Sequence, residues 1–190
     1  SSISAVPPGY ELVWSDEFDG DEVDTKKWNY DIGGDGWGNN ELQYYTNRRQ
    51  NSYVQDSILH IVARKEYYMG NKYTSARMTT FGKVEFTYGY IEGRMKLPSG
   101  MGMWPAFWML GSQGSYPNNG EIDILEAVNI ENKIYATCHW VQAGELVNYG
   151  QEYSPIDRTE FHNYYVHWDN EELRIGVDDI EYYDLTIKDS

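Results

Sequence analysis

Three carboxylates lie within six positions of the segment NNGEIDILEAVN, at Glu121, Asp123 and Glu126. Like charges placed side by side on a strand repel one another, so this crowding has a cost. Two carboxyl groups can act together on a glycosidic bond, one as an acid and the other as a nucleophile or a base. Because three carboxyls this close cannot all ionise cheaply, we expect at least one shared proton at neutral pH. Cleavage of a glycosidic bond requires one ionised carboxyl group and one protonated carboxyl group.

The spacing of the acids, two residues and then three, predicts an irregular strand. Side chains alternate between the two faces of a strand, so Glu121 and Asp123 share a face and Glu126 would point the other way. A β-bulge at Ile124–Leu125 would return Glu126 to that face, with Ile122 and one of the two bulge residues packed behind. On spacing alone, two alternatives stay open. The acids could form an exposed strand face that has no function, or they could be ligands of a calcium ion.

The elements that must position these acids have the pattern of short strands. Runs rich in Val, Ile, Tyr, Trp and Thr are separated by Gly, Asn, Asp and Pro. No long helix or repeat is evident, so we predict an all-β fold, a sandwich or barrel with antiparallel pairing. The predicted strands are 10–14, 58–65, 82–97, 102–110, 121–129, 133–140, 161–169, 172–179 and 180–187.

The remaining segments are predicted to be loops around one domain. Residues 1–9 look like a flexible leader, and 10–190 are predicted to form a single domain. The glycine-rich loops 31–41 and 111–120 are expected to border a cleft, because such segments do not pack as core.

Composition and charge exclude several classes of partner. The 190 residues include 30 Asp and Glu against 15 Lys and Arg, which gives a net charge of −15. Such a chain suits a neutral partner and argues against nucleic acid and against an anionic membrane surface. No apolar run is long enough for a membrane span. Aromatic residues make up 16%, and a surplus of rings beyond the core hints at a surface that stacks sugars. The single Cys138 is predicted to be buried filler.

The carboxylate segment is one of several motifs that occur in a fixed order. LVWSDEFDG, WGNNELQYYT, TSARMTT and GMWPAFWML precede it, and ATCHW and FHNYYVHW follow it. Together, over residues 10 to about 187, they resemble glycoside hydrolase family 16, and within it the laminarinase-like endo-β-1,3-glucanases. The resemblance implies a β-jelly-roll sandwich of two antiparallel sheets with a concave substrate cleft. In this sequence two aliphatic residues precede the last acid of the segment, a form of the motif that looks like that of the laminarinases. The form with a single aliphatic residue looks like that of the lichenase branch.

The same resemblance implies a double displacement with retention of configuration. Glu121 would be the nucleophile, Glu126 the general acid/base, and Asp123 would hold Glu121 by a hydrogen bond. The implied substrate is laminarin-type β-1,3-glucan, with mixed-linkage β-1,3-1,4-glucan as a second candidate. Enzymes acting on lichenan, agarose or carrageenan and a non-catalytic β-glucan-binding lectin stay open, because fold does not fix function. The intact acid triplet favours an enzyme, since a binder has no use for it.

Six further residues are implied to bind substrate. They are Asn39, Arg77, Trp104, Trp108, His139 and Trp140. By resemblance, the asparagine and the arginine contact sugar, the first two tryptophans border the cleft near the cleavage point, and the histidine and tryptophan of ATCHW face the cleft. These residues also have purely structural interpretations. The asparagine could be a turn residue and the arginine a solvated strand residue. The first two tryptophans could be core aromatics, and the histidine could have its hydrogen bonds satisfied within the fold.

The family pattern continues with strands that lie beyond IKDS, where this sequence stops. Relative to the family, residues 10–190 are C-terminally incomplete, and three alternatives stay open: a second chain completes the fold, swapped strands complete it, or these residues are a fragment. An aspartate that often helps to hold a structural calcium ion belongs to that further part, so the metal ligands are unknown. No cofactor is required for the chemistry. We expect a secreted protein whose signal peptide is not present in this chain.

Overall fold

Fifteen β-strands and no helix make up residues 5–187, the part of the chain that this computed structural model describes. No helix that could cross a membrane is present in that part. The chain divides into two compact units, Ser1–Glu85 and Phe86–Ser190. Of the predicted leader, residues 1–4 lie outside the described residues and residues 5–9 form no strand. That residues 10–190 form one domain stays a prediction.

The first unit contains short strands that are joined by turns. They are β1 (Asn29–Tyr30), β2 (Gln43–Tyr45), β3 (Ser52–Gln55), β4 (Ile58–Ile61), β5 (Arg64–Tyr68), β6 (Asn71–Ser75) and β7 (Met78–Thr79). β1 pairs with β7, and β3 with β4, in antiparallel fashion. β6 pairs antiparallel with β5 and parallel with β2. Asn51 is fully buried in this unit and donates to Val62 O at 3.0 Å and Thr74 Oγ1 at 2.9 Å, so its amide is satisfied.

The second unit is a sandwich of two four-stranded antiparallel sheets. Its strands are β8 (Gly89–Met95), β9 (Ala106–Leu110), β10 (Glu121–Glu126), β11 (Ile134–Gln142), β12 (Glu145–Tyr153), β13 (His162–Trp168), β14 (Glu172–Val177) and β15 (Ile180–Thr186). One sheet, which we call the site sheet, has the order β12-β11-β10-β9. The opposite sheet has the order β15-β14-β13-β8. The three acids lie on β10, a central strand of the site sheet.

Apolar side chains from both sheets of the second unit form its core. One cluster contains Ile124 and Cys138 of the site sheet with Val166 and Ile175 of the opposite sheet. A second cluster contains Leu125, Ala127 and Ile134 with Tyr164 and Val177. Cys138 is buried, as predicted, and burial raises the pKa of its thiol to about 11. Burial of this apolar surface is the main force that holds the two sheets together.

Arg158 fixes the loop that follows the strand of the acids and ties it to the segment between β8 and β9. Its guanidinium donates to the carbonyl oxygens of Pro98 at 2.7 Å, Val128 at 2.9 Å, Glu131 at 3.2 Å and Asn129. The residue is 2% exposed, so these carbonyls replace the water that a charged group needs. The chain leaving β10 is therefore held in one position.

Several of the predicted strands require correction. Residues 10–14 form no strand, and the strand predicted over 82–97 covers only Gly89–Met95. The segment 58–65 contains all of β4 and the start of β5, and the strands predicted over 102–110 and 121–129 cover only Ala106–Leu110 and Glu121–Glu126. Gly82 and Tyr88 have positive φ angles of 72° and 65°, a left-handed backbone that a strand does not contain. The segment before Gly89 is therefore a turn and bend, although its residue types favour a strand.

Candidate active site

Strand β10 contains the bulge that the spacing of the acids predicts. Against β11, Asp123 is opposite Thr137 and Glu126 is opposite Tyr135, so three steps along β10 match two along β11. Against β9 the register shifts at the same place. A bulge adds one residue and restores the facing of the residues beyond it. Glu121, Asp123 and Glu126 therefore lie on one face of the site sheet.

Both residues of the bulge point into the core, although the spacing of the acids predicted that only one would do so. Ile124 and Leu125 are fully buried and belong to the two different core clusters. Ile122 packs against the first of these clusters. Because two bulge residues together take the place of one, both side chains can turn to the same face.

Asp123 lies in the middle of the triplet and is the most buried of the three acids, at 4% exposure. Its Oδ2 lies 3.0 Å from Nε2 of His139. Burial, a hydrogen bond with Glu121 and the charge of Glu126 raise the pKa of Asp123 far above its ordinary value. Asp123 therefore keeps a proton at neutral pH and can donate it in a hydrogen bond to Glu121.

Glu126 lies at the far end of the triplet, beside an indole. Trp104 Nε1 donates to Glu126 Oε2 at 2.7 Å. Burial raises the pKa of Glu126, the hydrogen bond from Trp104 opposes this rise, and the charge of Glu121 adds to it, so that the pKa is raised overall. A carboxyl that keeps its proton to a higher pH is suited to protonate a leaving oxygen.

Neighbouring strands bring two of the predicted binding residues to the face of the acids. Trp108 on β9 is opposite Asp123, and His139 on β11 is opposite Glu121. Residues that are opposite each other on adjacent strands share a face. Trp104 precedes β9 instead of lying within it, yet its indole reaches Glu126 and remains 46% exposed. The structure therefore gathers Trp104, Trp108 and His139 around the three acids.

Trp140 lies on the other side of the sheet, and the prediction that it faces the cleft is wrong. It directly follows His139 in a regular stretch of β11, so the two side chains point to opposite faces. Trp140 packs against the core cluster that contains Ile124. Two adjacent residues of a regular strand cannot both line one surface, and that constraint was already available from the sequence.

Asn39 and Arg77 belong to the first unit, and their proposed sugar contacts stay a prediction. Asn39 is exposed and donates from Nδ2 to Glu41 Oε2 at 2.8 Å. Arg77 Nε lies 2.9 Å from Asp31 Oδ2, and its guanidinium lies 4.9 Å from the centre of the Trp37 ring. The ion pair and the ring fix the direction of the arginine side chain.

Tyr116 is a further candidate for the site, at a position where no motif predicted one. It lies in the glycine-rich loop 111–120, which was expected to border a cleft, and it is 49% exposed. Burial and the nearby charges of Glu121 and Asp123 raise the pKa of its hydroxyl. The phenol therefore lies within electrostatic reach of the acids. The only signal for it in the sequence was the composition of its loop.

One group of side chains among residues 5–187 is close enough to share a metal ion. The donor atoms of Glu121, Asp123 and His139 lie within 4.8 Å of one another. Calcium takes six to eight oxygen ligands, so two carboxylates and one imidazole do not fit it. These residues therefore do not provide the structural calcium site that the resemblance implies.

Comparisons with known proteins show what this chain is similar to. The family described as "Glycosyl hydrolases family 16" matches residues 38–190. The chain is 48% identical to a β-glucanase of Rhodothermus marinus, over 96% of this chain and 68% of that protein. The structure of a laminarinase from Rhodothermus marinus has 47% identity and a TM-score of 0.85, over 93% of this chain and 74% of the other.

A second structural neighbour contains a bound sugar. It is a mutant of a non-specific endo-β-1,3(4)-glucanase, co-crystallised with 1,3-β-D-cellotriosyl-glucose. Its identity is 38% and its TM-score is 0.89, over 96% of this chain and 77% of the other. These likenesses confirm the predicted fold class, an all-β fold of antiparallel sheets.

Proposed function

The chain belongs to glycosyl hydrolase family 16, and from this we propose that it is a retaining endo-β-1,3-glucanase that cuts laminarin-type glucan. The observation that carries the proposal is the bulged strand, which puts three carboxyls with different environments on one face. Support for the substrate comes from the neighbour that is named a laminarinase.

In the proposed reaction, Glu121 and Glu126 act on opposite sides of the cleaved bond. Glu121 attacks the anomeric carbon while Glu126 gives its proton to the departing glycosidic oxygen, so that a covalent glycosyl-enzyme forms. Glu126, now ionised, removes a proton from water, which attacks the same carbon and releases Glu121. Two inversions leave the configuration unchanged. Asp123 keeps its proton throughout and holds Glu121 in place.

Mixed-linkage β-1,3-1,4-glucan is a second candidate substrate. It is favoured by the neighbour with a TM-score of 0.89, which is named a non-specific endo-β-1,3(4)-glucanase. Sulfated carrageenan is disfavoured, because a chain with a net charge of −15 repels an anionic polymer. A glucan-binding lectin has no need for three crowded carboxyls.

Two further expectations belong to the same proposal. The protein acts outside the cell, since a glucan polymer is found there and does not cross a membrane. The reaction needs no cofactor, because the acid, the base and the nucleophile are all side chains. Whether the protein also binds structural calcium is decided by metal analysis of the purified protein.

The test is a reducing-sugar assay on laminarin and lichenan with wild type, Glu121→Gln and the control Glu145→Gln. Glu145 is an exposed glutamate at the start of β12, away from the triplet in sequence. We expect Glu121→Gln to lose at least about a thousandfold in kcat, because the nucleophile is gone, while the control keeps its activity.

Chemical rescue identifies the role of Glu121. In Glu121→Gly, added azide should occupy the place of the carboxylate and give a glycosyl azide of inverted configuration.

Two outcomes of the reducing-sugar assay would contradict the proposal. Binding of laminarin by wild type without cleavage would instead support the lectin. Full activity of Glu121→Gln would show that another residue is the nucleophile.

A further inference from the structure

Asn129 lies three residues after Glu126, in a backbone conformation that few side chains adopt. Its φ angle is 51°, in the left-handed region, where asparagine is one of the few residues other than glycine to occur. Such a conformation costs free energy that the surrounding contacts must offset, and residues of this kind cluster at functional sites. The hydrogen bonds of Asn129 show which part of the chain it holds.

Asn129 binds one turn of the chain through its backbone and its side chain. The turn covers residues 100–103 and is closed by the bond from Met103 N to Gly100 O at 3.1 Å. Asn129 N donates to Met103 O at 2.8 Å, and Asn129 O accepts from Gly100 N at 3.1 Å. The side chain adds a further bond, because Asn129 Oδ1 accepts from Gly102 N at 2.8 Å. One residue therefore holds both ends and the middle of this turn.

The turn leads directly into the residue that contacts Glu126. Trp104 follows the turn, precedes β9 and donates its indole N–H to Glu126 Oε2 at 2.7 Å. Because the tryptophan is 46% exposed, packing fixes its ring only in part. The carbonyl before it accepts from Asn129 N, and the carbonyl after it, Pro105 O, accepts from Ala127 N at 3.2 Å. Contacts with the chain that leaves β10 therefore set the position of this tryptophan.

Asn129 is held from its other side by Arg158. The guanidinium of Arg158 donates to Asn129 O and also to Pro98 O, the latter at 2.7 Å. Leu97 N donates to Arg158 O at 2.9 Å, so the segment that follows β8 is tied to the same residue. Since Arg158 is 2% exposed, these bonds are shielded from water and costly to break. Asn129 is therefore a fixed point between the buried arginine and the turn 100–103.

We propose that Asn129 is a positioning residue, which aligns the indole of Trp104 with Glu126 by holding the turn 100–103. The inference rests on the proposed function, in which Glu126 is the general acid. Asn129 makes no contact with substrate in this role. Glycine also suits a left-handed backbone, but it cannot supply the side-chain bond to Gly102. That bond is the specific contribution of an asparagine at this position.

The test measures kcat/KM on laminarin against pH in wild type, Asn129→Gly, Trp104→Phe and the double variant. Glycine tolerates the left-handed backbone and removes only the Oδ1 acceptor, so Asn129→Gly should fold. We expect its kcat/KM at the optimum to fall about three- to tenfold, the effect of one hydrogen bond. Since the bond from Trp104 lowers the pKa of Glu126, a poorly aligned indole should move the alkaline limb to higher pH.

The double variant distinguishes positioning from general structural damage. If Asn129 acts through the indole, the alkaline limb of Asn129→Gly/Trp104→Phe should coincide with that of Trp104→Phe, because the donor is already gone. Other titratable groups also face Glu126 and are unchanged in all of these proteins. They are Glu121 and Asp123 of β10, and Tyr135 and His139 of β11.

Ala143→Gly is the matched control for the change of backbone. Ala143 also has a left-handed φ angle, 53°, and it is exposed in the turn between β11 and β12. Its replacement by glycine should change neither the optimum value of kcat/KM nor the alkaline limb. Thermal unfolding of each variant reports whether the fold is intact.

NMR titration of the Glu126 carboxyl carbon, assigned with Glu126→Gln, gives a second readout that needs no activity. The pKa should rise in Asn129→Gly, as it should in Trp104→Phe. A pKa and an alkaline limb that stay in place in Asn129→Gly would overturn the inference, as would a double variant whose limb moves beyond that of Trp104→Phe. A wild-type protein that does not cut laminarin, but whose Glu126 responds to Asn129→Gly as expected, would overturn the proposed function and leave the positioning role intact.

Discussion

Three carboxyl groups of nearly the same intrinsic acidity lie in different surroundings. Asp123 is buried at 4% exposure and shares a hydrogen bond with Glu121, so it keeps its proton. Glu126 is partly buried and accepts the indole N–H of Trp104, which moderates the rise of its pKa. In the proposed reaction, the position of each residue relative to the core, more than its chemical type, would separate the acid from the nucleophile.

The indole of Trp104 should tune the pH dependence of the reaction. In Trp104→Phe the donor to the Glu126 carboxylate is lost, and since that hydrogen bond lowers the pKa of Glu126, its removal raises the pKa. The proposed reaction needs protonated Glu126, so the activity should fall as the pH rises through this pKa. The alkaline limb of kcat/KM on laminarin should move to higher pH in the variant.

Trp37→Phe is the matched control for this experiment. Trp37 also donates its indole N–H, but to Gly33 O in the first unit at 3.1 Å, so its loss should leave the alkaline limb where it is. An alkaline limb that stays in place in Trp104→Phe, or moves to lower pH, would show that the indole does not stabilise ionised Glu126.

At the scale of residues, spacing alone predicted the bulge and the common face of the three acids. Which of the acids keeps its proton to the highest pH could not be predicted from the sequence, because this depends on burial that arises only when the two sheets pack together. Trp140 shows the opposite case: its motif suggested a cleft residue, but strand alternation next to His139 sends it into the core. Tyr116 could not be identified because its loop has no periodicity.

At the scale of elements, β10 joins the site to the core through its bulge. Ile124 packs in one core cluster and Leu125 in the other, while the acids before and after them face outward. A shift in this packing would therefore move Glu126 relative to Glu121. The arrangement links the precision of the site to the stability of the sandwich.

Both bulge residues should be sensitive to truncation. Ile124→Ala and Leu125→Ala should each lower the free energy of unfolding by about 2–5 kcal/mol, because each leaves a cavity at a fully buried position. Urea unfolding followed by tryptophan fluorescence measures this. Ile130→Ala, at a position that is 64% exposed, should change stability by no more than about 0.5 kcal/mol. If either bulge variant were as mild as this control, one bulge side chain would have to face away from the core.

The longer strands of the second unit were predictable, whereas most of those in the first unit were not. β13, β14 and β15 were predicted to within one or two residues, because they are rich in aromatic and β-branched residues that favour strands. β1 and β7 are two residues long, too short to show any period. β12 was missed because its sequence, ELVNYGQEY, is largely polar, as suits an edge strand of the site sheet.

At the scale of the whole molecule, the strongest feature is the excess of negative charge. The 30 acidic residues outnumber the 15 basic residues two to one, and the three acids of β10 account for only a small part of this excess. A neutral glucan is indifferent to this field, whereas an anionic polymer is repelled over roughly the Debye length. Charge thus contributes to the choice of substrate without any direct contact, and it was readable from the composition.

Ionic strength should therefore affect two related substrates differently. On carboxymethylated laminarin, kcat/KM should rise several-fold between about 0.01 M and about 0.15 M salt, because the Debye length shortens from about 30 Å to about 8 Å. On unmodified laminarin it should stay nearly constant, which makes the neutral polymer its own control for general salt effects. The measurement is the initial rate of reducing-sugar release at low substrate concentration. An equal response of the two polymers would mean that the −15 charge does not act on the approaching chain, and that rejection of anionic glycans must come from contacts inside the site.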